Sequence, residues 1–299
     1  MEIKVYNRQE KKIITEKVYG EKAVEWLYNT PSGSSVANIL ARKTLSQVYG
    51  AYQNISLSKN KINNFVRSYN IDLGDFLPED GLTDENPYNN FNQFFIRRFK
   101  DGKRTFTASA EELAAPCEAR YYAYDSLDAT EVVPVKGKYL TAEAILNNSD
   151  LAKEFNQGPM LLARLCPVDY HRFHFPDTGE IIEEYPVHGE FHSVNPLALK
   201  KRPSILKDNE RYVTILDTEN FGKIAYVEVG AMMVGKIVQS HQGKKFNRGD
   251  EKGYFLFGGS TVMIFGQPGK WKPDTELVEH TKQGMETLVQ LGERVGSTV

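Results

Sequence analysis

The sequence predicts an α+β protein: N-terminal amphipathic helices, then a β-rich domain, with a C-terminal helix. Three observations lead there. Apolar residues recur at helical spacing within the first 75 positions. After residue 110, short β-branched or aromatic runs alternate with Gly, Pro, Asp and Asn, the texture of a strand-rich region. Helical periodicity then returns over 276–291.

Residues 15–75 read as helical. Ala23, Val24, Leu27 and Tyr28 mark a helix over 21–28, broken by Thr30-Pro31-Ser32-Gly33. A second helix is expected over 35–52, with Val36, Ile39, Leu40, Ala41, Leu45, Val48 and Tyr49 as a broad apolar stripe. A third, over 59–69, turns Ile62, Phe65 and Val66 to one side. Such stripes pack on a protein's own core or, with basic flanks such as Arg42 and Lys43, lie on a membrane surface. Residues 78–90 are acidic and turn-rich and read as a linker, and 91–106 are aromatic and basic. Strands are expected at 120–124, 132–135, 160–165, 212–216, 223–229, 235–240, 254–257 and 261–265, and a short helix at 142–147.

Composition narrows the function classes. With 299 residues, 40% hydrophobic and 25% charged, the chain can bury a sizeable core. A net charge of -2 gives no basic field for nucleic acid. Two cysteines, Cys117 and Cys166, are too few for a disulfide framework, so a reducing compartment is expected. The opening MEIKVYNRQEKK has no apolar stretch of the secretory kind. No apolar run approaches the roughly 20 residues of a membrane span, so membrane contact is expected to be peripheral.

The most informative stretch is FLFGGSTVMI, residues 255–264. Gly-Gly-Ser-Thr between two strand-like runs makes a hairpin turn. It also allows self-attack: if Ser260 Oγ adds to the Gly259 carbonyl, the peptide becomes an ester. Elimination then leaves dehydroalanine at 260, and hydrolysis a pyruvoyl group. CPVDYHRFH, residues 166–174, sets His171 and His174 three apart beside Asp169, Tyr170 and Arg172. Metal ligand, loop surface residue and general base are the three readings, but no partner cluster at zinc spacing accompanies them. His188 and His192 bring four of the six histidines within 22 residues. Glu118, in APCEAR, is an isolated acid leading into an apolar strand, and taken alone it reads first as a strand-edge surface carboxylate.

Together these segments resemble the phosphatidylserine decarboxylase proenzymes, particularly the shorter bacterial type, over nearly the whole chain. FNQFFIRRFK with Arg104, DYHRFHFPDTG at 169–179, HGEFHSVNP at 188–196, VEVGAMMVGKI at 227–237 and Arg248 to Phe255 leading into FGGST occur in family order. The resemblance implies self-cleavage between Gly259 and Ser260, giving a large chain 1–259 and a small chain 260–299, with Ser260 becoming the pyruvoyl cofactor and no metal. It makes His174 the base for cutting and His171 the histidine near the substrate. The family's aspartate in Pro-x-Asp-Gly-Arg falls on Glu118, followed by Ala119 instead of glycine. Glutamate adds a methylene to an acid that must orient an imidazole, and alanine forbids easy positive φ.

The implied reaction is decarboxylation of phosphatidylserine to phosphatidylethanolamine and CO2 through a Schiff base with the lipid's serine amine. The implied setting is the cytoplasmic face of the cell membrane, held peripherally, with residues 1–90 as the membrane-contacting region and 91–299 as the catalytic domain. The sequence does not separate a monomer from a homodimer. Two alternatives stand beside this reading: a pyruvoyl decarboxylase of a soluble amino acid, and a non-catalytic or poorly processed lipid-binding homologue resting on Glu118-Ala119.

Overall fold

Among the described residues a ten-stranded sheet runs through the molecule, drawing its strands from the start, the middle and the end of the chain. In this computed structural model residues 3–17, 20–42, 50–126, 141–202, 204–232, 236–258 and 260–299 are described. The strand order is Lys245–Phe246, Gly179–Val187, Arg211–Thr218, Gly222–Gly230, Ser260–Gly266, Met160–Leu165, Ala119–Tyr124, Glu286–Val289, Lys4–Asn7, Lys12–Thr15. All neighbours are antiparallel except Lys4–Asn7 with Glu286–Val289. A smaller sheet joins Ile237–Gln239, Glu251–Phe255 and Arg172–His174; another joins Trp271–Pro273, Arg294–Thr298 and Glu112–Ala114.

Both faces of the large sheet are covered. Met160, Leu162, Val213, Ile215, Val227, Met263 and Phe265 pack on one side with the helices Ala142–Leu146, Pro196–Lys201 and Ile205–Asp208. Leu161, Ala163, Leu165, Ile224, Tyr226, Val262 and Ile264 face the other, against Phe173, Phe255, Trp271 and Leu277. Alternate residues of one strand therefore serve two cores. This is why MLLARL and STVMIFG read as near-continuous apolar runs and not as half-buried alternation.

The expected α+β class stands, with helices near both ends. The N-terminal helices are Glu21–Asn29 and Pro31–Leu40. Their break falls at Thr30, but Pro31 starts the second helix instead of preceding it: proline suits the first helical position, and Thr30 Oγ1 accepts from Gly33 N at 3.0 Å. Positions 43–49 of the expected helix over 35–52, including Lys43, Leu45, Val48 and Tyr49, lie outside the described residues, as does the expected strand 132–135. The third helix is Ile62–Tyr69, stopped by Asn70 at φ 55°.

Two expectations change. The first residues form a hairpin, Lys4–Asn7 with Lys12–Thr15, which joins the large sheet. The C-terminal helix is Thr275–Lys282, shorter than 276–291; Gly284 at φ 71° ends it, and the chain returns as Glu286–Val289 and Arg294–Thr298. No described helix is long and apolar enough to cross a membrane.

Candidate active site

Ser260 is the first residue of an inner strand. It is fully buried, in register with Leu165 on one side and Gly230 on the other. Gly258, two positions earlier, has φ 147°, a conformation that residues with a Cβ rarely adopt. Gly259 lies outside the described residues.

The strand beside Ser260 leads into the histidine motif through a turn at Cys166-Pro167-Val168-Asp169. Proline suits the second turn position, Asp169 N donates to Cys166 O at 2.9 Å, and the Asp169 carboxylate accepts from Cys166 N at 2.6 Å. Arg120 also binds that carboxylate. The turn delivers His171 against Ser260, with Nδ1 3.4 Å from Oγ, long for a hydrogen bond but fully buried. His171 Nε2 lies 2.8 Å from Cys166 O. A carbonyl only accepts, so Nε2 carries the proton and Nδ1 offers its lone pair to the serine. Phe95 stacks on the imidazole at 3.7 Å between centroids and 19° between planes. Burial, and then the Arg97 guanidinium, push His171 well below the ordinary imidazole value, so it is neutral at pH 7.

His174, one turn of strand further on, faces elsewhere. Its Nδ1 is 2.9 Å from Gly249 O, and its Nε2 is 3.2 Å from Tyr170 Oη. Burial lowers its pKa too. Glu118 binds Arg104 at both carboxylate oxygens, the Oε1–Nη2 contact being 2.9 Å. The structure thus brings Ser260 and His171 together, and joins Glu118 to Arg104 and not to the His174 ring. The wider histidine cluster separates: His188 is exposed, and His192 Nε2 sits 2.6 Å from Glu190.

Behind His171 lies a buried charge network that sequence reading missed. Arg164 donates to Glu286 at 2.5 and 2.7 Å and to Glu16 at 2.9 and 3.2 Å, and its Nη1 lies 2.8 Å from Cys166 Sγ. Arg120 reaches Glu16 at 2.5 Å. Burial raises the Glu16 pKa, but Arg164 and Arg120 outweigh it and hold the carboxyl at about 2. Arg120, Cys166 and Asp169 stood in motifs, but Glu16, Arg164 and Glu286 did not, and Glu16 and Glu286 are far from them in sequence.

A mostly apolar cavity of about 170 Å³ opens beside the site, touching Val24, Leu27, Cys166, Val168, Met232 and Gly258. Such a space takes a small organic group, with Phe257 and Gly258, just before the Ser260 strand, at its edge.

Residues 91–297 match the family model described as phosphatidylserine decarboxylase. The chain is similar to proteins named phosphatidylserine decarboxylase proenzyme from several clostridia. It is 39% identical to that of Clostridium tetani (strain Massachusetts / E88) over 295 residues, covering 98% of each chain. It is 41% identical to that of Clostridium botulinum (strain Langeland / NCTC 10281 / Type F) over 297 residues, covering 99% of each. It is 37% identical to that of Clostridium beijerinckii (strain ATCC 51743 / NCIMB 8052) over 299 residues, again 99% of each.

Proposed function

The chain belongs to the phosphatidylserine decarboxylase family, and we propose that it cuts itself between Gly259 and Ser260 and then decarboxylates phosphatidylserine. The observation that carries this reading is the buried contact of Ser260 Oγ with the neutral His171 ring. In the first step Ser260 Oγ bonds to the Gly259 carbonyl carbon, the Gly259–Ser260 C–N bond breaks, and the serine proton passes through a histidine to the freed amine. Loss of the Ser260 Cα proton expels the Gly259 carboxylate, leaving dehydroalanine. Its imine tautomer takes up water and releases ammonia, which leaves a ketone at 260 on the small chain 260–299.

The residues present fit such a group: position 260 is buried, beside an imidazole, and two residues from Gly258, which lines a cavity. A pyruvoyl ketone at position 260 would supply the carbonyl for the lipid's serine amine and the electron sink for loss of CO2. His171 is the side chain placed to hold or move a proton at that point. The family resemblance gives the cutting step to His174 and turnover to His171. The Ser260 contact and the low pKa of His171 favour a second reading, in which His171 also serves cutting. Glu118, tied to Arg104, would then act on the site through that arginine's segment.

The exposed Trp26, Ile39, Ile55 and Leu57 support a peripheral bilayer contact by the region 1–90. The cutting step is tested by intact mass and denaturing electrophoresis of the wild-type chain and of Ser260→Ala. The wild type should give chains 1–259 and 260–299, the smaller one beginning with pyruvate. Ser260→Ala should stay whole and inactive. A whole wild-type chain in active preparations would refute the reading.

A further inference from the structure

We infer that Asn92 is a positioning residue for self-cleavage: it holds the chain that leads into the scissile bond. The inference rests on the self-cleavage reading above and adds a residue to it. After position 259 the chain is pinned by the sheet, because Ser260 pairs with Leu165 and Gly230. Before it, the chain is pinned by the short helix Phe91–Phe95. Asn92 Oδ1 accepts from Phe257 N at 2.9 Å, and the Phe257 ring sits edge-on to Phe91 and Phe95 at 5.1 and 5.0 Å.

The Asn92 oxygen is itself aimed. Its Nδ2 donates to Asn54 Oδ1 at 2.9 Å and to Gly50 O at 3.3 Å, and the side chain is 2% exposed. All three polar bonds of this amide are therefore spent on fixing one backbone N–H, two residues before the carbonyl that Ser260 attacks. Gly258, between the two pins, is held at φ 147°. The same helix stacks Phe95 on His171. One rigid element thus registers both the approach to the scissile bond and the imidazole beside Ser260. Attack geometry is steep in distance: a shift of about 1 Å costs on the order of 100-fold.

The test compares cutting rates with thermal midpoints for the full-length wild type, Asn92→Leu and Asn92→Asp, each followed from the freshly folded uncut chain by electrophoresis. Asn92→Leu keeps the volume but leaves Phe257 N without its acceptor, and should cut roughly 10- to 100-fold more slowly. Asn92→Asp keeps that acceptor but buries a charge facing Asn54 Oδ1 and Gly50 O, so it should melt lower than Asn92→Leu yet cut faster. Cutting rates that follow the melting order would make Asn92 merely structural and overturn the inference. So would an Asn92→Leu chain that cuts at the wild-type rate. A wild-type chain that never cuts overturns the self-cleavage reading, and this inference with it.

Discussion

Glu16 should make the stability of this protein strongly acid-sensitive, through a single carboxylate. It is buried between Arg164 and Arg120, which hold its pKa at about 2, against an ordinary 4.5. A folded pKa below the unfolded one means the unfolded chain binds the proton more readily. The stabilisation is therefore complete above pH 4.5 and is lost as pH falls from there towards 2. A shift of some 2.5 pH units corresponds to about 3 kcal/mol at neutral pH, with a slope of roughly 1.4 kcal/mol per pH unit inside the window. The perturbation is Glu16→Gln, which cannot ionise. Both proteins carry Ser260→Ala so that each remains one chain, and urea unfolding is followed at pH 7, 5, 4 and 3.5. The buried histidines, whose pKa values are lowered, lose stability below pH 6.5 in both proteins and cancel in the difference. The gap between the two proteins should be constant from pH 7 to 5 and then narrow by about 1 kcal/mol by pH 3.5. A gap that keeps the same size throughout would mean that the arginines do not hold Glu16 ionised, and the account of the network would fall.

Further outcomes follow from the site. His174→Ala should remain uncut, whereas His171→Ala should cut and lose turnover by about 100-fold or more, as expected on removing a proton-transfer group; electrophoresis with a CO2-release assay reads both, and an uncut His171→Ala would move the cutting step to His171. Glu118→Gln should slow cutting while leaving turnover of already cut enzyme unchanged, and a normal cutting rate would reduce Glu118 to a partner of Arg104. Trp26→Ser with Leu57→Ser should lower flotation with phosphatidylserine-containing vesicles by about tenfold or more, since each side chain would otherwise bury roughly 1.5–3 kcal/mol of apolar surface; undiminished flotation would place the contact elsewhere.

What the sequence made legible depended on range. The inner strands Met160–Leu165 and Ser260–Gly266 were readable because both of their faces are buried, so apolar residues run almost unbroken. The Lys4–Asn7 and Lys12–Thr15 strands were not, because their charged, half-exposed residues carry no local period. Residues 286–289 were absorbed into a helix because Glu286 looks like a solvent-facing residue; its buried partner Arg164 is 122 positions away. Arg120 and Arg164 stand directly opposite each other across two strands, an arrangement that pairing rules disfavour. Glu16, Asp169 and Glu286, from three distant segments, offset it. At the site, the histidine motif and the serine were legible as residue types. Which histidine touches Ser260 was not, since it turns on how the Cys166–Asp169 turn is folded.

If the proposed cut at 259/260 occurs, the sheet order has a consequence for the life of the molecule afterwards. The segment 260–299 enters the large sheet twice, and each time it is an inner strand: Ser260–Gly266 between Gly222–Gly230 and Met160–Leu165, and Glu286–Val289 between Ala119–Tyr124 and Lys4–Asn7. It also supplies two strands of a smaller sheet, Trp271–Pro273 and Arg294–Thr298, beside Glu112–Ala114. A piece severed there would be woven into the rest like a thread stitched through cloth, unable to leave without tearing every sheet it crosses. Before the cut, folding is a unimolecular search. Afterwards, any molecule that unfolds must find its other half again, so recovery depends on concentration and slows with dilution. A fold cut there would in this sense be a one-way assembly: the intact thread is needed to weave it, and the finished weave would hold the pieces.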